Sequence, residues 1–559
     1  MTQNRDDAGD NGQRQDGDDR VRGEHAGDGV EDQGGAGEHA ARNRLDALRR
    51  AIALKRLRAT SAQTDADATG IARIDRDGAL PLSWGQRRLW FLHRLGGAGG
   101  DAYRIGAALR LLGPLRGDAL QGALSDLTAR HEILRSRILD RDGEPELTIA
   151  EADDFALAQS DLSGVADTGE RESRLRELCA EEAAMAFDLQ REAPMRARLI
   201  RLAEENHVLV MTQHHIVSDG WSIGIAVREL AALYAARLDG APDPLPPLPL
   251  QYADFAAWQR GRLRGDGFDA ALSAWKQALD GAPMLSTLPG DFARCAVARH
   301  RGARVFIGWP QTVSAAVRAL ASRCGATPFA VILAAWNVLL ARMSGQRDLV
   351  VGMPVAHRPR TELEGLIGFF VDTLPVRLRL DDGIGAGRLV RVVHEELLAC
   401  FERQEVPFDR IVDAVRPQRA LGHGPLFQTL VSLNNTPSAT LQLGRLRIED
   451  FPLEQQTASH DLVLNLSETA DGLVGSLTYD ADLYRHASVE RWADYLQRLL
   501  LEMARDPAAP VDMLALLPPS ERSLLLEEFN ATDRVYPPLP TLHAGFEAQA
   551  RTAPDAVAV

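Results

Sequence analysis

The stretch Val208-Leu209-Val210-Met211-Thr212-Gln213-His214-His215-Ile216-Val217-Ser218-Asp219-Gly220 decides how this chain is read. Its apolar start predicts a buried strand. A histidine pair closes the strand, and an aspartate and a glycine sit on the turn that leaves it. Strand ends feeding tight, glycine-permitted turns are places where a rigid scaffold can hold a base beside a cleft. Consecutive side chains on a strand point to opposite sides, so His214 and His215 cannot both face one cleft from regular strand geometry. Adjacent histidines also lack the spacing at which two imidazoles converge on one ion, and no metal site is expected here.

Working outward, residues 222–238 read as a helix with Ile223, Ala226, Val227, Leu230, Leu233 and Tyr234 inward, and residues 171–185 as the helix before the strand. Residues 118–134 carry helical apolar spacing, and 136–149 read as a strand, an Asp142-Gly143 turn and a second strand. The Pro-rich stretch 242–249 marks a lobe edge. Further helices are expected at 268–279, 313–324, 329–343, 389–402 and 489–505, with strands at 349–353, 426–433, 462–467 and 473–479. Mixed elements of this kind predict layered α/β lobes.

The chain has 559 residues, 45% apolar and 25% charged, which predicts a soluble protein of two or more lobes. A formal charge of −15 argues against nucleic acid as the main partner. Neither a membrane-spanning run nor a signal-peptide core is legible, so no membrane partner is expected and a cytoplasmic setting is. Cys179, Cys295, Cys324 and Cys400 form no CxxC pair and read as reduced thiols. Residues 1–40 hold 11 acidic residues and 9 glycines, with Val21 and Val30 as the β-branched apolar residues, and are expected to be disordered. In residues 41–59, Leu45, Leu48, Ile52, Leu54 and Leu57 alternate with arginines and Lys55 as in a basic amphipathic helix. Such a helix either leans on its own domain or docks another subunit.

Seven ordered segments carry a family resemblance. They are Ser83-Trp84-Gly85-Gln86-Arg87-Arg88-Leu89-Trp90-Phe91-Leu92, Arg130-His131-Glu132-Ile133-Leu134-Arg135, the histidine segment extended by Trp221-Ser222, and Tyr252-Ala253-Asp254-Phe255-Ala256-Ala257-Trp258. Then follow Ile367-Gly368-Phe369-Phe370-Val371-Asp372-Thr373-Leu374, Arg403-Gln404-Glu405-Val406-Pro407-Phe408 and Gly424-Pro425-Leu426-Phe427-Gln428. Together, over roughly residues 78–510, they resemble the condensation domains of non-ribosomal peptide synthetases, whose signature is HHxxxDG. Gly85, Asp372 and Arg403 depart from the family's more usual Ala, Asn and His. Residues 514–532 resemble the linker that follows such domains, and 542–559 the first residues of an adenylation domain. Met1 suggests a subunit start.

The resemblance implies a mixed α/β fold of two chloramphenicol-acetyltransferase-like lobes, a V-shaped pseudo-dimer with a central tunnel and His215 near its centre. The expected divisions are a tail (1–40), a basic helix and linker (41–77), an N-terminal lobe (78–255), a C-terminal lobe (256–510), and a linker with the start of a truncated adenylation domain (511–559). Elements of the second lobe should cross back to the first. The implied reaction is amide formation, with His215 orienting the acceptor amine and accepting or relaying its proton. His214 is expected to be a packed core histidine. Asp219 should hold the turn and pair with an arginine of the second lobe, Arg342 or Arg358. Gly220 either admits a close approach or satisfies a left-handed turn. Trp221 reads as packing and Ser222 as a possible helix cap. No bound cofactor is expected, because both substrates would ride on phosphopantetheine arms of partner carrier proteins, or the donor on coenzyme A. The implied partners are a downstream carrier protein and adenylation domain, and either an upstream carrier subunit in trans or a fatty acyl-CoA or acyl carrier protein that starts a lipopeptide. A catalytically silent carrier-docking module is the contrasting reading, and the intact His215, Asp219 and Gly220 speak against it.

Overall fold

Among the described residues two six-stranded sheets organise the fold, one built mainly from each half. In order, the strands are β1 (Arg104–Leu112), the hairpin β2 (Ser136–Arg141) and β3 (Glu144–Ile149), β4 (Ala158–Asp161), β5 (Met195–Ala203) and β6 (Asn206–His214). The second half carries β7 (Gly302–Pro310), β8 (Asp348–Val355), β9 (Asp372–Arg379), β10 (Thr429–Asn434), β11 (Gln442–Leu443), β12 (Leu446–Phe451), β13 (Leu462–Thr469) and β14 (Gly472–Asp480). The sheets run β11-β12-β1-β6-β5-β4 and β7-β14-β13-β10-β8-β9. This computed structural model describes residues 70–557 apart from 96–102, 154, 264, 417–421, 435–441, 444–445, 454–456, 534 and 536–540. The expected tail 1–40 and basic helix 41–59 lie outside the described residues.

Position in the first sheet explains why β6 reads as an unbroken apolar run. It is flanked by β1 and β5 and covered on both faces. Leu209 and Met211 join the core beneath the helices Gly117–Arg130 and Gly220–Asp239, while Val208 and Val210 pack on the other side with Leu175 and Leu178 of the helix Thr168–Ala184. The second half does cross back: β12 pairs antiparallel with β1, from Ala108 opposite Phe451 to Leu112 opposite Arg447.

The second core is centred on the helix Pro328–Ser344, in which every residue from Ala330 to Ala341 is buried. Thr327 caps its start by accepting from Ala330 N at 3.2 Å, and Gly345, at φ +72°, closes it in the left-handed region. It is apolar all round because the sheet and the helices Gln311–Cys324, Ala386–Glu402 and His486–Arg505 surround it. Among the described residues no single helix is long and apolar enough to cross a membrane.

The boundary expected between residues 255 and 256 falls inside a helix, Tyr252–Arg262, whose first turn buries Tyr252, Phe255 and Ala256 in the first core. Leu363, Leu366, Ile367, Phe369 and Phe370 join that same core from the second half. The lobes are therefore not two consecutive blocks of sequence.

Candidate active site

β6 ends at His214, and His215–Val217 form one 3-10 turn before the helix Gly220–Asp239 begins. His215 thus stands on the turn and leaves the strand's pleat. Its N–H donates to Tyr103 O (2.7 Å) and its carbonyl accepts from Ser218 N (3.3 Å). His214 remains a strand residue, 1% exposed and edge-on to the rings of His93 and Phe187. Its Nδ1 accepts from Ile216 N at 3.1 Å. Burial, with His93 and His215 adding to it, drops its pKa to about 3, so it is a neutral core imidazole.

The partly exposed His215 is arranged differently. Nδ1 lies 2.7 Å from Ser218 O. A carbonyl oxygen only accepts, so Nδ1 carries the proton and the neutral ring keeps its free lone pair on Nε2. Burial pushes this imidazole below the usual histidine range, helped by Arg88 and opposed by the Ser218 carbonyl and Asp219. The ring of Phe369 meets it edge to face, with centroids 5.0 Å apart.

Phe369 lies on residues 364–371, a stretch that belongs to neither strand nor helix and is buried from Leu366 to Phe370. Such a backbone must find hydrogen-bond partners outside regular structure. Side chains of the first half provide them. Ile367 N donates to His131 Nδ1 (3.4 Å), and Ser222 Oγ donates to Gly368 O (2.8 Å) while accepting from Gly368 N (3.1 Å). Tyr252 OH donates to Phe369 O (2.6 Å), and Asp219 Oδ2 accepts from Phe370 N (2.9 Å) and Val371 N (3.1 Å). Tyr252 OH also meets Ser83 Oγ at 2.9 Å, and Gln86 Nε2 donates to Ile216 O at 3.0 Å. The first five sequence segments therefore converge on one network. Gly368 is obligatory in it, because a Cβ there would lie 1.9 Å from Tyr252 Cδ2.

Asp219, 2% exposed, is the residue that caps the helix Gly220–Asp239, through Ser222 N at 2.8 Å. Ser222 is not the cap; it sits in the first turn and spends its hydroxyl on Gly368 and on Arg358 Nη2 (3.0 Å). Arg358 is the arginine brought to Asp219, with Nη2 to Oδ1 at 3.5 Å and both side chains 3% exposed. It also donates to Leu363 O and to Leu366 O (2.8 Å) and lies 3.9 Å from the Phe370 ring centroid. Arg342 is not a partner of Asp219. It occupies the last turn of its helix, where its guanidinium donates to Leu514 O at 2.7 Å and ties that helix to the following linker. Gly220 has no positive φ, which removes the left-handed reading; a Cβ on it would meet no atom within 4 Å, so the space beside it is open. Trp221, 44% exposed, donates its indole N–H to Glu364 O at 3.1 Å.

Sequence reasoning missed a second polar set. Arg88 Nε stands 3.8 Å from Asp409 Oδ1, and its guanidinium lies over the Phe408 ring. Burial raises Asp372 and Asp409 to about 6 each. Burial and Arg88 lower His460, stacked on Phe427 at 5.6 Å, to about 4. Asp372 was legible as a departure from the motif; Asp409 and His460 carry no sequence signal. An open cleft of about 750 Å³, lined by Asp126, Arg130, Arg237 and Gln251 among others, lies toward the far end of the helix Gly220–Asp239 from Asp219. At about 1.5 Å per residue that end is remote from His215. Among the described residues no group of His, Cys, Asp and Glu is placed to hold a metal ion.

The comparisons with known proteins bear on this geometry. The family model for the condensation domain matches residues 76–526. Malpinin synthetase of Mortierella alpina is 40% identical over 498 residues, 89% of this chain and 6% of that protein. Phosphinothricin tripeptide synthetase PhsC of Streptomyces viridochromogenes is 39% identical over 522 residues, 92% of this chain and 47% of that protein. Among solved structures, the X-domain from teicoplanin biosynthesis matches with a TM-score of 0.73 at 29% identity, covering 80% of this chain and 100% of that one. The chain belongs to the condensation-domain family, the two-lobed enzymes that form amide bonds in non-ribosomal peptide assembly. It spans less than half the length of these two synthetases.

Proposed function

We propose that this chain joins the thioester-bound acyl group of an upstream carrier protein to the amine of an aminoacyl group on a downstream carrier, with His215 as the group that handles the amine. The observation that carries this reading is the tautomer set by Ser218 O, which leaves a neutral Nε2 lone pair on a partly exposed ring. In this scheme Nε2 accepts a hydrogen bond from the amine and so aims the amine's own lone pair at the thioester carbonyl. The C–N bond forms, the C–S bond breaks, and the amine proton passes through Nε2 to the departing thiolate. A thioester is already activated, so orientation contributes more than base strength. Open space beside Gly220 leaves room for a substrate at the start of the helix. Asp219 and Arg358 act on structure, holding residues 364–371 in place.

We take the donor to be an aminoacyl or peptidyl thioester on an upstream carrier. The adenylation-like start after residue 541 supports a downstream carrier of the same synthetase as the source of the acceptor. The test loads that carrier with its amino acid and offers aminoacyl-carrier and fatty acyl donors in parallel, reading products by intact-protein mass. The expected result is amide from the aminoacyl-carrier, and a loss of about 100-fold or more in His215→Ala with carrier binding unchanged. Wild-type turnover by that variant would end the role given to His215. Fatty acyl donors that react faster as they lengthen, at about 0.8 kcal/mol per buried methylene, would make this a chain-initiating domain instead.

A further inference from the structure

We infer that Arg88, Asp372, Asp409 and His460 are specificity-determining residues, a charged wall beside His215 that accepts a polar aminoacyl side chain and disfavours an alkyl one. Four separate elements bring them together. Arg88 lies on the helix Trp84–Leu95, Asp372 opens β9, Asp409 lies in the first turn of the helix Phe408–Val415, and His460 stands just before β13. The rings of Phe408, Phe427 and His460 form a row behind them, with successive centroids 5.3 and 5.6 Å apart, and Arg88 lies over Phe408. The set adjoins His215 from both halves of the chain. Arg88 comes two residues after Gln86, whose side chain holds Ile216 O, and Asp372 three residues after Phe369, whose ring meets the imidazole. The charge of Arg88 bears on His215 itself, as it does on Asp372, Asp409 and His460.

A polar set that serves structure alone closes on itself, as Asp219 and Arg358 do at 3% exposure. This one stays open. The Arg88 and Asp409 side chains are 27% and 26% exposed, and Asp372 and His460 are half-buried. Arg88 Nε is buried without a hydrogen-bond partner, and the carboxylate that faces it, at Asp409 Oδ1, stands 3.8 Å away, beyond hydrogen-bond distance. Asp372 accepts from Thr373 N (2.8 Å) and Phe408 N (3.3 Å). One ring nitrogen of His460 is taken by Ser459 Oγ at 2.9 Å, which leaves the other for a ligand. Burial nevertheless raises Asp372 and Asp409 to about 6 each and lowers His460 to about 4. Groups that touch solvent yet lose this much hydration face a narrow space. An alkyl side chain entering it strips water from the guanidinium and the carboxyls and returns no hydrogen bond, whereas a hydroxyl or carboxamide replaces that water. This inference rests on the reading that His215 handles the amine of an aminoacyl substrate.

The experiment uses the full chain with carriers bearing matched amino acids, serine against 2-aminobutyrate and glutamine against norleucine. The pairs are placed on the acceptor with a fixed donor, and then on the donor with a fixed acceptor. We expect the polar member to be favoured in kcat/KM by about tenfold or more on one of the two carriers, which also tells which substrate the wall reads. In the double variant Asp409→Leu with His460→Phe, which makes the wall apolar and keeps a ring on Phe427, that ratio should fall below about threefold while the alkyl substrates react at least as fast as with wild type. A loss shared equally by both members of each pair is what a structural role gives, and it overturns the inference. So does a wild-type ratio within about twofold on both carriers. A second arm needs no turnover. The pantetheine amides of serine and 2-aminobutyrate are titrated into the chain while the His460 ring is followed by NMR on labelled histidine, its resonance assigned from its loss in His460→Phe. The seryl amide should shift that resonance at about tenfold lower concentration than its alkyl partner. Equal titrations, or no shift with either, overturn the inference even where the double variant fails to fold. No amide from any pair beside an intact seryl shift would end the amide-forming reading and leave the wall supported.

Discussion

Replacing Asp219 with alanine removes one carboxylate that serves four groups. It accepts from Ser222 N (2.8 Å), Phe370 N (2.9 Å) and Val371 N (3.1 Å), and it stands 3.5 Å from Arg358 Nη2. With the Asp219 and Arg358 side chains each 3% exposed, the orphaned donors gain little water in exchange. A hydrogen bond to a charged acceptor contributes about 1.5–3 kcal/mol, and a buried charge left without its partner costs about 3–5 kcal/mol. These terms overlap, and Arg358 keeps its bonds to Leu363 O, Leu366 O and Ser222 Oγ. The expected loss is therefore about 3–4 kcal/mol, concentrated in residues 364–371. At about 1.4 kcal/mol per decade, the amides of Phe370 and Val371 should exchange hydrogen about two to three decades faster. Hydrogen exchange read by mass on peptides covering 364–371, with turnover measured in parallel, checks this. Exchange within about threefold of wild type together with lost turnover would refute the reasoning and place Asp219 in the chemical step.

Two further outcomes follow from the same geometry. Gly368→Ala puts a methyl 1.9 Å from Tyr252 Cδ2 in a buried site and should cost about 3 kcal/mol or more, or abolish folding, whereas Gly220→Ala, whose Cβ meets nothing within 4 Å, should melt like wild type; equal melting temperatures for the two variants would contradict this. Burial raises the Asp372 carboxyl to about 6, above its ordinary value, so folding opposes the ionised form, and the wild type gains stability as pH falls through 6. Asp372→Asn should then be more stable than wild type by about 1–3 kcal/mol at pH 8, with the difference fading below about pH 4; a difference in unfolding free energy that does not change between those pH values would rule it out.

The sequence by itself determined the local frame of the site. An apolar run closed by two histidines, then Asp219 and Gly220, then helical spacing to residue 238, specifies a strand, turn and helix, because each signal spans only a few residues. The same holds for the core helix Pro328–Ser344, marked by Thr327-Pro328 at its start and Gly345 at its end. Several strands were not legible in this way. β1 contains Arg104 and Arg110, and β9 contains Pro375, Arg377 and Arg379, residues that argue against a buried strand until their partners are known. In the folded protein Arg110 meets Glu172 (3.3 Å) and Arg377 meets Asp348 (2.7 Å), each brought from another element. Tertiary structure alone decided that Arg358 faces Asp219 while Arg342 turns to Leu514 O, since both arginines lie more than 100 residues from that aspartate along the chain. It also moved His215 off the strand and set Phe369 against it. Those contacts depend on an irregular segment of the second half finding its hydrogen-bond partners on the first, a long-range match that no local pattern in the sequence encodes.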